Sequence, residues 1–310
     1  MVVTGGAGFL GSHLCERLIS RGDTVVCVDD FSSGQLANLS ALLKEERFSL
    51  LEQDVAEALD VRPPVDAVLH LASPASPMDY LRRPLGTMAV ASEGTRRCLT
   101  LATQCNARFL LASTSEVYGD PLEHPQRETY WGNVNPTGPR SVYDESKRFA
   151  EALTFAWHRS KGTNVGVARI FNTYGPRLRN DDGRVVSTFI AQALEGSPLS
   201  IFGDGAQTRS LCYVDDLISG LVALLDSDVR GPINIGNPEE HSINEIAEMI
   251  LTATGASVAI EHTELPVDDP KRRCPDISLA ARFLAWHPAV SLEDGLVRTV
   301  AAMRERGATT

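Results

Sequence analysis

Met1-Val2-Val3-Thr4-Gly5-Gly6-Ala7-Gly8-Phe9-Leu10-Gly11 opens the chain, and its reading sets how the rest is read. A short β-branched run ends in glycines spaced three apart, Gly5, Gly8 and Gly11, and an amphipathic stretch from Gly8 to Arg21 follows. Glycine is needed where a chain turns tightly, where backbone approaches a pyrophosphate and where a helix packs closely on a strand; the helix N-terminus then faces the negative charge. The next β-branched run, Thr24–Asp29, ends in the acidic pair Asp29-Asp30, with Asp29 18 residues past Gly11. A carboxylate there is placed to accept hydrogen bonds from ribose hydroxyls and to repel a 2′-phosphate, so the unit predicts NAD binding in preference to NADP. Gly5, Gly8, Phe9, Leu10 and Gly11 form the expected phosphate loop, and Asp29 and Asp30 the ribose contact. Asp54-Val55, with Leu71 and Ser73 at the end of the fourth strand, completes the cofactor set.

Outward from this loop, β-branched runs alternate with amphipathic ones, the pattern of βαβ units and a parallel sheet. Strands are expected at Met1–Thr4, Thr24–Asp29, Phe48–Gln53, Asp66–Ala72, Arg108–Ser113 and Asn164–Ile170, with helices near Gly8–Arg21, Leu36–Glu45, Pro84–Gln104 and Tyr143–Lys161. The predicted fold is α/β, a Rossmann-type doubly wound parallel sheet over residues 1–175. Past Gly175-Pro176 the alternation fades and Pro/Gly punctuation grows, so a smaller lobe is expected over 176–310. Val214–Ser227 followed by Pro232–Gly236 again reads as helix then strand, so residues 211–236 are expected to return to the first sheet.

Composition narrows the class. With 310 residues, 43% hydrophobic and 22% charged, the chain is globular in make-up. Its 29 basic and 40 acidic side chains leave a net charge of −11, which argues against a nucleic-acid partner. Cys15, Cys27, Cys98, Cys105, Cys212 and Cys274 form no C-x-x-C pair and sit mostly in apolar runs. They read as reduced core thiols of a cytoplasmic protein, with no metal site expected. No apolar run approaches the roughly 18 residues of a spanning helix, so no membrane partner is expected.

The chemistry is carried by Tyr143-Asp144-Glu145-Ser146-Lys147. Four residues apart on a helix, Tyr143 and Lys147 share a face and can meet one ligand. An ammonium beside a phenol, or an oxidised nicotinamide, favours phenolate and so a base for a sugar hydroxyl. Only four of the 29 basic residues are lysines, which makes Lys147 in this place more informative. Upstream, Ser113-Thr114-Ser115-Glu116 closes the fifth strand at the carboxyl end, where doubly wound sheets bind substrate.

Gly5–Gly11, Thr114, Tyr143 and Lys147 together resemble the extended short-chain dehydrogenase/reductase superfamily of nucleotide-sugar enzymes. Within it, His70-Leu-Ala-Ser-Pro-Ala-Ser-Pro77, Ser113–Pro121, Ala168–Arg177, Asp182–Ser187 and Gly236–His241 resemble the UDP-glucuronate decarboxylases, almost end to end. The resemblance implies a lyase that uses NAD catalytically on UDP-glucuronate. Tyr143 would take the C4 hydroxyl proton with Thr114 bonded to the same oxygen, and Lys147 would hold the nicotinamide ribose. Ser115, Glu116 and Arg273 would assist loss of CO2 from the 4-keto acid. It further implies Asn172, Arg177, Arg184, Phe202, Arg209 and Arg273 as substrate contacts in the second lobe. A homodimer through the helices near Pro84–Gln104 and Tyr143–Lys161 is also implied. Related dehydratases carry Thr-Asp-Glu where this chain has Thr114-Ser115-Glu116, so the acid that expels a hydroxyl is absent. Ala89, Ala91 and Ser146 depart from the decarboxylase pattern, which usually has Lys, Asn and Gly there. A 4-epimerase with the same hydride cycle and a non-catalytic NAD-sensing protein remain open alternatives.

Overall fold

The computed structural model describes residues 1–264 and 272–307. β1 (Val2–Thr4), β2 (Val25–Asp29), β3 (Phe48–Glu52), β4 (Ala67–His70), β5 (Arg108–Thr114) and β6 (Val165–Ile170) lie in one sheet, ordered β6-β5-β4-β1-β2-β3. Every pairing is parallel, and a seventh strand, Ile233–Ile235, adds to the free edge of β6. β1, β4 and β5 are buried along their whole length, as strands covered by helices on both faces must be. The strand order reverses between β1 and β4, and such a switch point opens a crevice at the carboxyl ends.

Two expected helices take other forms. Leu36–Glu45 is a pair of short 3₁₀ turns, Leu36–Leu39 and Leu42–Lys44. The Ala7 carbonyl accepts both the Gln35 amide and the Asn38 side chain, which ties the segment to the glycine loop. Leu39 and Leu42, three apart, then reach the core together, a spacing that suits 3₁₀ geometry. Pro84–Gln104 is helical throughout but carries a π turn at Val90–Gly94 between α segments Pro84–Ala89 and Thr95–Gln104. The Val90 carbonyl takes the Thr95 amide and also the buried His70 ring, and Gly94 lies close against Val55 and His70.

One apolar cluster runs from Val3, Leu14 and Leu69 under the sheet through Leu217 and Leu221 to Ile246, Ile250 and Leu296. A second, with Val68, Leu99, Phe109 and Val167, fills the opposite face. The smaller lobe adds paired strands Leu199–Phe202 with Ile260–Thr263 and Thr208–Ser210 with Glu240–Ser242. Its helix Ile243–Thr254 starts at a Ser242/Glu245 capping box.

A buried polar cluster joins these parts. Arg169 on β6 forks onto Glu151 of the helix Ser141–Lys161 at 3.0 and 2.8 Å, and donates to the Tyr118 hydroxyl and the Glu128 carbonyl, both at 3.0 Å. Ser113 Oγ donates to Glu151 at 2.6 Å, and Tyr118 donates to Asn234 at 2.7 Å. Removing one partner of such a pair leaves an uncompensated charge, which costs about 3–5 kcal/mol. Glu151→Leu should therefore lose stability of that order in urea unfolding; a loss below about 1 kcal/mol, the worth of a surface pair, would show the fork to be dispensable.

Candidate active site

A cleft of about 690 Å³ lies over the carboxyl ends of the strands, between the sheet and the smaller lobe. At one end sits the glycine loop. Gly5 has φ +72°, and a Cβ on it would stand 2.6 Å from the Ala72 amide; a Cβ on Gly11 would run into the Gly5 carbonyl. The helix Phe9–Arg21 begins at Gly8 with no side-chain cap, so its first amides are left for an anion. Phe9, Leu10, Asp30, Asp54, Val55, Leu71 and Ser73 all line this end of the cleft. Bare backbone at a helix start beside an acidic strand end fits NAD.

Asp29, expected at the ribose, also has a structural part. One carboxylate oxygen accepts the Ala7 amide and the other the Phe31 amide, each at 2.9 Å, so the side chain also fastens the glycine loop to β2. Burial pushes its carboxyl up while those two amides oppose the shift.

Tyr143 and Lys147 project from the helix Ser141–Lys161 toward Thr114 at the end of β5. Lys147 Nζ donates to the Ala112 carbonyl at 2.9 Å and lies 5.8 Å from the centre of the Tyr143 ring. Burial lowers Lys147 to about 8, with Glu151 opposing. Burial likewise holds the Tyr143 phenol above its ordinary value, against a hydrogen bond with Thr114. Tyr143 is stacked on Tyr80 of the helix Pro77–Arg82, ring centres 5.3 Å apart and 8° from parallel.

Beside them is a clamp that was only half expected. Glu116 accepts from Arg140 at 2.7 Å and from Arg273 at 3.1 Å. Burial opposes its ionisation, yet Arg273 and Arg140 hold its carboxyl down to about 2. Arg273 is 1% exposed and also donates to the Ser115 and Gly119 carbonyls, both at 2.9 Å. Ser115 is buried and meets this clamp through its backbone, and it does not line the cleft. Arg140 was missed from sequence; its position at the N-cap of the helix, three residues before Tyr143, is the signal that could have found it.

Asn172, Arg184, Phe202 and Arg209 line the far end, with Phe202 47% exposed at the rim. Arg184 is paired with Asp182, and Arg209 donates to the Thr208 carbonyl at 2.8 Å. Arg177 lies apart from these. It sits at φ +70° and pairs with Glu16 of the first helix, leaving Nη1 buried without a hydrogen-bond partner. This places its guanidinium at the glycine-loop side of the cleft.

The sequence pattern of the NAD dependent epimerase/dehydratase family matches residues 1–236. UDP-glucuronic acid decarboxylase 1 of Arabidopsis thaliana is 53% identical over 306 residues, covering 99% of this chain and 70% of that protein. UDP-glucuronic acid decarboxylase 1 of Xenopus tropicalis is 50% identical over 98% of this chain and 72% of its own. Among solved structures, a UDP-glucuronic acid 4-epimerase from Bacillus cereus, in complex with UDP-glucuronic acid and NAD, superposes with TM-score 0.86 at 31% identity. That match covers 98% of this chain and 99% of the epimerase.

Asp144, next to Tyr143, is 6% exposed with one carboxylate oxygen unpartnered. Burial, then the Glu116 charge, raise its carboxyl to about 7. Between an unfolded value of about 4 and that folded value, the folded chain holds the proton that the unfolded chain has lost, so stability falls as pH rises through this window. Asp144→Asn cannot titrate and should gain stability relative to the parent at pH 8 more than at pH 4 in urea titrations; a constant offset would refute the raised value.

Proposed function

The chain belongs to the NAD dependent epimerase/dehydratase family, and on that premise we propose that it decarboxylates UDP-glucuronate to UDP-xylose in this cleft. The observation that carries the reading is the Glu116 clamp beside the Thr114–Tyr143–Lys147 group. Glu116 is held ionised by Arg140 and Arg273, so it is no donor for expelling a hydroxyl. Loss of CO2 needs no such donor. Relatives about half identical over nearly the whole chain carry this activity in their names.

The glycine loop, Asp29 and Lys147 would hold NAD, which when bound would supply a reversible acceptor for the C4 hydrogen and a positive nicotinamide to offset the burial that keeps Tyr143 protonated. Tyr143 takes the C4 hydroxyl proton while Thr114 bonds the same oxygen. The resulting 4-ketone lies β to the C6 carboxylate, so the C5–C6 bond breaks with its electrons flowing into the ketone. The enolate takes a proton from water at C5, and Tyr143 gives its proton back to O4. Arg184, Arg209 and Arg273 offer guanidinium contacts to diphosphate and carboxylate, Asn172 a polar contact, and Phe202 an aromatic face for uracil.

A homodimer is supported by Leu81, Leu85, Met88 and Phe149, large apolar side chains left exposed on the helices from Pro77 to Ala89 and Ser141 to Lys161. No helix among the described residues is long and apolar enough to cross a membrane. Six unpaired cysteines suit a reducing compartment such as the cytoplasm.

Incubation of the purified chain with UDP-glucuronate should release CO2 and a UDP-pentose; formation of UDP-galacturonate without CO2 would replace this reading with 4-epimerisation. Tyr143→Phe should lower turnover at least ~100-fold, the lower bound for losing a general base, with the fold intact by circular dichroism. In sedimentation equilibrium the chain should run at twice its 33.6 kDa mass, and Leu85→Asp should shift it toward the monomer.

A further inference from the structure

Away from the cleft, three segments bring together one nitrogen, one oxygen and one sulfur donor. His124 precedes Pro125 in the loop after β5, Glu240 opens the strand Glu240–Ser242, and Cys274 follows Arg273. A ligand atom from each lies within 4.8 Å of the others. His124 Nε2 is 2.8 Å from Glu240 Oε2, while the other carboxylate oxygen accepts Thr208 Oγ1 at 2.6 Å. Glu240 is thus oriented from behind, leaving Oε2 to face the histidine and the thiol, as outer partners do for metal-binding carboxylates.

The Cys274 amide donates to the Gln126 side chain at 2.9 Å, and the Gln126 amide to the Cys274 carbonyl at 2.8 Å, fastening it to the loop that carries His124. Its thiol is directed at the Pro238 carbonyl at 3.3 Å. Ser210, paired with Glu240 across the strands, is fully buried, and its hydroxyl faces the Cys274 thiol.

We propose that His124, Glu240 and Cys274 form a binding site for a thiophilic divalent cation of the zinc class, and that its occupation slows turnover by displacing Arg273. Imidazole, carboxylate and thiolate match the ligand preference of such ions, and three protein donors leave the fourth position open to water. The thiol proton passes to solvent as the sulfur–metal bond forms. Donor atoms around tetrahedral zinc stand ~3.3 Å apart or more, by the usual bond lengths, so the 2.8 Å His124–Glu240 pair must open. Cys274 must also swing from Pro238 toward the ion. Arg273, one residue away, holds Glu116 and the Ser115 and Gly119 carbonyls, and its hydrogen bonds carry the shift to the cleft.

The test is equilibrium dialysis of the chelator-stripped protein against zinc chloride, with cobalt chloride as a spectroscopic probe. One zinc per chain and a thiolate-to-cobalt charge-transfer band are expected, both lost in His124→Ala and in Cys274→Ser. Absence of the band, or equal zinc uptake by the parent and His124→Ala, overturns the site. The activity arm rests on the decarboxylation reading, whereas the dialysis and cobalt arms do not depend on it. His124→Ala should keep the parent's metal-free turnover and need at least about 10-fold more zinc for half-inhibition, the scale on which metal-site residues set affinity. Zinc binding at the site without slowed turnover overturns the link to Arg273.

Discussion

The fork between Arg169 and Glu151 is the constraint on which the site depends. A buried guanidinium and carboxylate can be tolerated only if their hydrogen-bonding capacity is met, and here it is met by Ser113, Tyr118 and the Glu128 carbonyl. Each partner belongs to a different element. Satisfying one charge pair therefore sets the helix of Tyr143 and Lys147 against β5 and β6, and brings Thr114 to the phenol. Through Tyr118 and Asn234 the same network reaches Gln126 and Asp276, so the segment carrying Arg273 is seated by it too.

A net charge of −11 would repel an anionic substrate if charge were spread evenly. The cleft is built otherwise. Most of its arginines are held by an acid: Arg140 and Arg273 by Glu116, Arg184 by Asp182, Arg177 by Glu16, Arg179 by Asp79. Pairing keeps the guanidinium groups charged, ordered and partly desolvated. An incoming diphosphate or carboxylate then meets positioned donors and need not order flexible side chains, which lowers the entropic cost of binding.

Much of the first half was legible in the sequence because its signals are local. The glycine spacing, the acidic strand end and the four-residue step from Tyr143 to Lys147 each lie within one or two elements. Where local rules failed, a distant partner was the cause. Leu36–Glu45 breaks into turns because Ala7 claims Gln35 and Asn38, and Val90–Gly94 widens where the Val90 carbonyl takes the His70 ring beside the Thr95 amide. Asp29 was read for its ribose contact, but its grip on Ala7 required a view of two loops at once.

The sequence by itself determined the Rossmann-type parallel sheet, the glycine loop and the pairing of Tyr143 with Lys147 on one helix face, since periodicity and motif spacing report what neighbours along the chain can do. Only the tertiary structure decided how the charges are shared. That Arg273 holds Glu116 across 157 positions, that Arg140 completes the clamp, and that Arg177 leans on the first helix are facts of packing. The energy of a charge depends on burial and on which opposite charge lies within a few ångströms, and neither is written in the order of residues along the chain.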